Sequence, residues 1–195
     1  MPASTFMRPP WAQPSALASV LVEAPTEEPL TLADGKLRAG LDWPVGDPRD
    51  DLMTGFIAAA RSQVEQDTGL ALLTQTRDIT LYTTITSGIF PLPLQALPVQ
   101  SVTTPTGIRI DAASWSDWWT TMPAPIAPGT WRIVAGWPSA AALKAEVPLL
   151  VQAVGLLTAH YATFGRDLAS DARHVEKLPM GYDECIAPYR LIWVP

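Results

Sequence analysis

The sequence predicts an α+β chain: a helical core that carries a β-rich insertion, with an extended arm before it and a tail after it. Three observations carry that expectation. Residues 48–68 and 148–164 place apolar side chains at helical spacing. The stretch between them is rich in Thr, Ile and Leu and is cut by prolines into short runs. Both ends lack helical periodicity, the first because of its prolines. The expected layout is a Pro-rich arm over 1–30 and one domain over 31–195. Within that domain the helical core covers about 31–69 and 147–190, the β-rich insert about 70–138, and the tail 189–195.

In the arm, Pro2, Pro9, Pro10, Pro14, Pro25 and Pro29 exclude a regular helix or a central strand. Trp11 and the apolar run 16–22 are suited to docking on another surface. Thr31 is placed to cap a short helix that runs to about Ala39 and stops at Gly40, and Gly35 weakens it. Asp47 then caps a longer helix with Pro48 at its first position. Its apolar stripe is Met53, Phe56, Ile57, Ala60 and Val64, and Gly69 ends it. Strands are expected at 73–82, 99–104, 107–110 and 130–135, with Pro91, Pro93 and Pro98 breaking the intervening run into short edges.

Pro148 opens the second long helix. Its apolar face is Leu149, Leu150, Ala153, Val154, Leu156, Leu157, Tyr161 and Phe164, expected to pack on the stripe of the first. Its back is Gly155, Thr158, Ala159 and Ala162, small rather than charged. A helix with a small back is one that another backbone approaches closely, from the same chain or from a second subunit. These four are the candidate subunit-packing positions. The charged stretch 166–177 reads as a solvated loop, and 180–187 as a short helix. The tail Tyr189, Arg190, Leu191, Ile192, Trp193, Val194 and Pro195 holds one charge. It is suited to extended strand addition with Trp193 as anchor, or to folding back on its own domain.

Composition narrows the function classes. Charged residues make up 16% of the 195, well below the average of about 25%. With 20 prolines and 8 tryptophans, this charge-poor chain is expected to cover surface by assembly. A net charge of −6 excludes a general phosphate-binding surface, so tight duplex binding is not expected. The single Cys185 excludes an internal disulfide framework and a cysteine-based metal site. Residues 147–165 lack charge but carry Gln152, Thr158, His160, Tyr161 and Thr163. They read as a buried helix rather than a membrane span.

No catalytic constellation emerges. Phosphate-loop spacing and a nucleophile elbow are both absent. His160 and His174 lie in different elements with no third ligand indicated, so neither a metal nor another cofactor is expected. Cys185 has no basic neighbour and reads as a packing residue. Trp115, Trp118 and Trp119 with Asp111 and Asp117 fit a sugar-stacking surface or an apolar interface, and the two strong helices argue against a sugar-binding module.

The order of segments carries a resemblance. Val64-Glu65-Gln66-Asp67-Thr68-Gly69 is followed by Ala71-Leu72-Leu73-Thr74-Gln75-Thr76, Pro91-Leu92-Pro93 and Leu97-Pro98-Val99-Gln100-Ser101-Val102. Then come Ala135-Gly136-Trp137-Pro138, Val147-Pro148, Leu178-Pro179-Met180-Gly181 and Ala187-Pro188-Tyr189-Arg190. Over roughly 30–190 this order resembles the head–tail connector (adaptor) family of long-tailed phages and phage-like gene transfer agents. The resemblance implies a structural, non-enzymatic subunit of a ring, typically of twelve copies, at the head–tail junction of a virion or phage-like particle assembled in the bacterial cytoplasm. It implies the portal protein on one side, a stopper or tail protein on the other, and DNA only as passing cargo. It makes the portal the expected recipient of Tyr189–Val194. Other tail-completion or stopper roles are the alternative. The chain departs from the family in its first 30 residues and in Asp34-Gly35, where better helix formers are expected.

Overall fold

The computed structural model describes residues 17–82, 84, 89–91, 97–111, 121–123, 127–164 and 179–190. They form strand β1 (Leu17–Glu23), helices α1 (Leu32–Arg38) and α2 (Asp50–Thr68), then β2 (Gln75–Leu81), β3 (Ile89–Pro91), β4 (Val99–Thr103), β5 (Arg109–Asp111), β6 (Thr121–Pro123) and β7 (Gly129–Ala135). Helices α3 (Ala140–Glu146), α4 (Pro148–Phe164) and α5 (Tyr182–Ile186) follow, and a 3-10 turn, Ala187–Tyr189, extends the last of them. The architecture is the expected α+β, with a layer of helices against an antiparallel sheet.

Helix α4 is the centre of the helical layer, with α1, α2, α3 and α5 all packed on it. It buries Leu150, Val151, Ala153, Val154, Gly155, Leu157, Thr158 and Ala162, residues from most of its circumference. The α2–α4 pairing is the expected one, and α2 meets it with Ile57, Ala60 and Val64 buried. On α4 the stripe is rotated from the expected one. Of the expected face, Leu150, Ala153, Val154 and Leu157 are buried, but Leu149 is exposed and Leu156 half-buried, and Val151 joins the core. No single helix among the described residues is long and apolar enough to cross a membrane.

Capping chemistry sets the helix ends. Thr31 accepts from the Asp34 amide at the start of α1, as expected. Helix α2 starts at Asp50 rather than 48, because the Asp47 carbonyl accepts the Asp50 amide in a turn and the Asp47 carboxylate accepts the Arg49 amide. Gly35 is a packing residue: a Cβ there would lie 3.0 Å from Ile57 Cδ1 and 3.2 Å from Met53 Cε. The glycine that weakens α1 by propensity is what lets α1 lie close on α2. Helix α3 was not expected. Its signal is Ser139, whose side chain accepts from the Ala142 amide ahead of an alanine-rich run.

The main sheet has the order β1-β2-β7-β4-β5, antiparallel throughout, and β3 pairs with β6 separately. Ile79 and Leu81 on β2 and Trp131, Ile133 and Ala135 on β7 are buried in one continuous core with the helices. The opposite face is polar, with Asp78 paired to Arg132 at 2.8 Å and Thr80 bonded to Thr130. Strand β1 falls within residues 1–30 and pairs with β2, so that segment contributes an edge strand to the sheet.

A buried seam joins the two layers. Leu70, Ala71, Leu72 and Leu73 are all at most 2% exposed, yet they lie in neither a helix nor a strand. The amides of Leu70, Ala71 and Leu72 find partners one by one, as buried backbone must. The Leu70 amide reaches Thr68 Oγ1, that of Ala71 the Leu97 carbonyl, and that of Leu72 Glu65 Oε1. Leu73 bridges Trp137, and the Thr74 amide donates to the Trp137 carbonyl. Gly136 faces this seam at φ 103°, and a Cβ there would sit 2.2 Å from the Leu73 carbonyl oxygen. Only glycine fits.

Candidate assembly surfaces

Of the expected tail, Tyr189 and Arg190 belong to the described residues, and both engage their own domain. Tyr189 is half-buried against the core, and Arg190 pairs with Asp183 at 2.6 Å while its amide donates to the Ile186 carbonyl. Leu191, Ile192, Trp193 and Val194 lie outside the described residues, as do Trp11, the cluster Trp115, Trp118 and Trp119, His174, and the loop 166–177.

The small back of α4 is largely covered within the chain. Gly155, Thr158 and Ala162 are buried, and only Ala159 of the four keeps partial exposure. The group that approaches is a side chain from α1. A Cβ on Gly155 would meet the Arg38 guanidinium, whose Nη1 donates to Gln152 Oε1 at 2.8 Å. Thus the close neighbour of Gly155, left open between the same chain and a second subunit, is in the same chain. Gly155, Thr158 and Ala162, buried in the single chain, offer little surface to a second one.

Among the described residues, exposed apolar side chains form one contiguous run and several single positions. Strand β1 carries Val20, Leu21 and Val22 at 61%, 44% and 45% exposure. The α1–α2 connection and its flanks carry Leu37, Val45 and Leu52. Yet the root of β1 is firmly tied. Glu23 accepts from Thr76 Oγ1 at 2.7 Å, Glu27 accepts the Ala140 amide at 3.0 Å, and Glu28 pairs with Arg61 at 2.9 Å. Arg61 also holds Glu65 at 2.9 Å, and burial pushes the Glu65 carboxyl above its ordinary range against the pull of that guanidinium.

The cations are mostly spent on carboxylates. Nine lysines and arginines lie among the described residues, and six of them (Lys36, Arg49, Arg61, Arg109, Arg132 and Arg190) form ion pairs. Lys36 is buried and paired with Asp50, which also accepts from the Trp43 indole and the Gly46 amide, both at 2.8 Å. The Arg49 guanidinium stacks on Trp43 at 4.3 Å and holds the Asp47 carboxyl well below the usual range. A phosphate backbone meets few unspent cations on such a surface.

The groups with latent reactivity are muted. Burial and the neighbouring Glu184 push the Cys185 thiol up, away from the reactive thiolate. His160 is half-buried with its ring 4.6 Å from that of Phe164, and burial lowers its pKa. Buried Tyr182 donates to Asp67 at 2.6 Å, and burial and that carboxylate together push its phenol far above its ordinary range. This bond ties α5 to α2. No group of three or more metal-ligating side chains occurs among the described residues.

Comparison with solved structures identifies the architecture. A chain in the neck of an empty gene transfer agent (GTA) particle, computed with C6 symmetry, is similar over 91% of this chain and 97% of its own length, at 22% identity and TM-score 0.64. The fold is that of a GTA neck chain. A chain in the virion of a native GTA particle is similar over 91% and 97% of the two chains, at 20% identity and TM-score 0.56. A third, in the neck of a native GTA particle computed with C12 symmetry, covers 90% and 97% at 20% identity and TM-score 0.51. No family model and no curated protein matches the sequence.

Proposed function

We propose that this chain is a head–tail connector (adaptor) subunit. Copies of it form a ring of twelve that sits between the portal and the stopper or tail and leaves an axial channel for DNA. The role is structural and non-enzymatic. Its place is the head–tail junction of a virion or phage-like particle assembled in the bacterial cytoplasm.

The observation that carries this reading is the fold shared with a GTA neck chain over 91% of one chain and 97% of the other. The conduit role is supported by a net charge of −6 and by cations already paired with carboxylates. The apolar tail Leu191–Val194 is the segment assigned to the portal, with Trp193 as its anchor.

Light scattering beside negative-stain images, with and without purified portal, tests the reading. Rings that stack on the portal are the expected result, and deletion of 191–195 is expected to abolish stacking while rings still form. A monomer that neither assembles nor binds portal would sink it.

A further inference from the structure

We infer that copies of this chain join helix to helix, the outer face of α4 of one copy lying along the outer face of α2 of the next. The inference rests on the ring reading above and names the surfaces that close the ring.

Helix α4 leaves one face uncovered. Leu149, Gln152, Leu156, Ala159 and Thr163 alternate steps of three and four, which sets them in one row along the helix. Leu149, Gln152 and Thr163 are exposed, and Leu156 and Ala159 half-buried. Helix α4 contains no Asp, Glu, Lys or Arg, whereas the solvent side of a surface helix is ordinarily charged or polar. Helix α2 carries a second row with the same steps on its outer side: Leu52, Gly55, Ala59, Ser62 and Gln66. Ser62 is half-buried and the other four are exposed. A Cβ on Gly55 would meet nothing within 4 Å.

The two rows differ and fit each other. Each spans 15 residues, about 21 Å of helix. Leu149 and Leu156 stand up from the α4 row, while Gly55, Ala59 and Ser62 leave a shallow groove along the α2 row. Alternating steps of three and four are the spacing at which side chains of one helix enter the gaps of another.

Charge matches as well. Arg38 borders the α4 row: its guanidinium occupies the space beside Gly155, and its Nη1 donates to Gln152 Oε1 at 2.8 Å. It has no carboxylate partner among the described residues. Held against α4 by a neutral amide, this exposed guanidinium is set out in advance for a carboxylate. Asp51 borders the α2 row, is exposed, and also has no ion-pair partner among the described residues. Both charges stand toward the N-terminal end of their rows, so pairing them runs the two helices parallel. An arginine beside an uncharged, partly apolar row is also the composition of an interface.

The occupant is a second copy of this chain. The inner sides of α2 and α4 already pack on each other within one chain, and the outer rows, being exposed there, do not cover each other. A chain that carries both halves of one contact joins head to tail, the arrangement that closes as a ring rather than as a two-fold dimer.

The test uses the purified full-length chain with no other protein present. Arg38→Glu and Asp51→Arg are made as single variants. Both positions are exposed, so each variant is expected to keep the wild-type far-ultraviolet circular dichroism and cooperative melt. The wild type is expected to scatter as a ring. Each variant alone is expected to need at least about tenfold more protein to assemble, because like charges then meet at every contact. An equimolar mixture of the two is expected to assemble as the wild type does, since alternating copies restore opposite charges at every contact of an even-numbered ring. Ala59→Glu fills the α2 groove while leaving Arg38 and Asp51 in place, and is expected to weaken assembly at least as much; it carries the test if a charge variant loses its fold. A wild-type chain that is monomeric at every concentration overturns the ring reading itself. A wild-type ring with folded variants that assemble normally, or a mixture that assembles no better than its components, overturns the helix assignment alone.

Discussion

Two segments flank β2 in sequence or in space, and they are opposites. The seam Leu70–Leu73 buries every side chain, and the amides of Leu70, Ala71 and Leu72 each have a partner, although it is neither helix nor strand. Strand β1 is regular secondary structure and buries no side chain over 18–23. Regularity and stability are therefore separate quantities here. The irregular segment holds the two layers together, and the regular one is spread on the outside. A fold whose stability resides in the seam is free to use β1 for something else.

The sharpest way to break the seam is Gly136→Ala. The new Cβ meets the Leu73 carbonyl at 2.2 Å, a backbone group that cannot rotate away, and φ 103° adds strain. A loss of at least about 3 kcal/mol is expected in chemical denaturation, or no soluble protein at all. Leu157→Ala, in the fully buried face of α4, is expected to cost about 2–5 kcal/mol by opening a cavity. A cost under about 1 kcal/mol would mean that α4 is not the centre of the helical layer. Tyr182→Phe removes one buried hydrogen bond to a carboxylate, and urea midpoints should report a loss of about 1.5–3 kcal/mol.

The connection at 36–50 supplies a prediction in pH. The Lys36 ammonium, the Trp43 indole and the Gly46 amide hold the Asp50 carboxyl below its ordinary range, so the ionised form favours the folded chain. The benefit is complete above the ordinary carboxylate pKa of about 4 and is lost as pH falls through the lower folded value. The gap in melting temperature between wild type and Asp50→Asn should be widest between about pH 5 and 7 and should close on acidification. A gap independent of pH would show that the pair does not form. The smallest effect belongs to β1. Val20→Thr in the isolated subunit should change stability by no more than about 0.5 kcal/mol. A larger loss would erase the contrast with the seam.

Legibility in the sequence followed burial on one side. Helix α2 and strand β7 each show one buried and one more exposed face, and their periodicity located them within a few residues. Helix α4 is buried over most of its circumference, so no polar face fixed its rotation, and Leu149 and Leu156 were assigned to the wrong side. Strand β1 is exposed on both faces and gave no alternation to read. Gly35 looked like a defect because propensity is local, whereas its purpose is set by Met53 and Ile57 across the helix pair. Gly136 was visible only as a strand terminator, since the carbonyl that excludes a side chain comes from 63 positions earlier in the chain. Among the candidate docking segments, the apolar tail and the run 16–22 stood out by composition.

The anchors at the root of β1 also have a mechanical meaning. A strand pulled along its axis loads its ladder bonds together, whereas one peeled sideways breaks them in turn. Glu27 and Glu28 sit between β1 and the rest of the chain, one gripping the start of α3 and the other the middle of α2. Tension applied to β1 would thus be shared between two helices before it reaches α1. The strand is coupled to the body as a tether fixed at two further points beyond its own ladder.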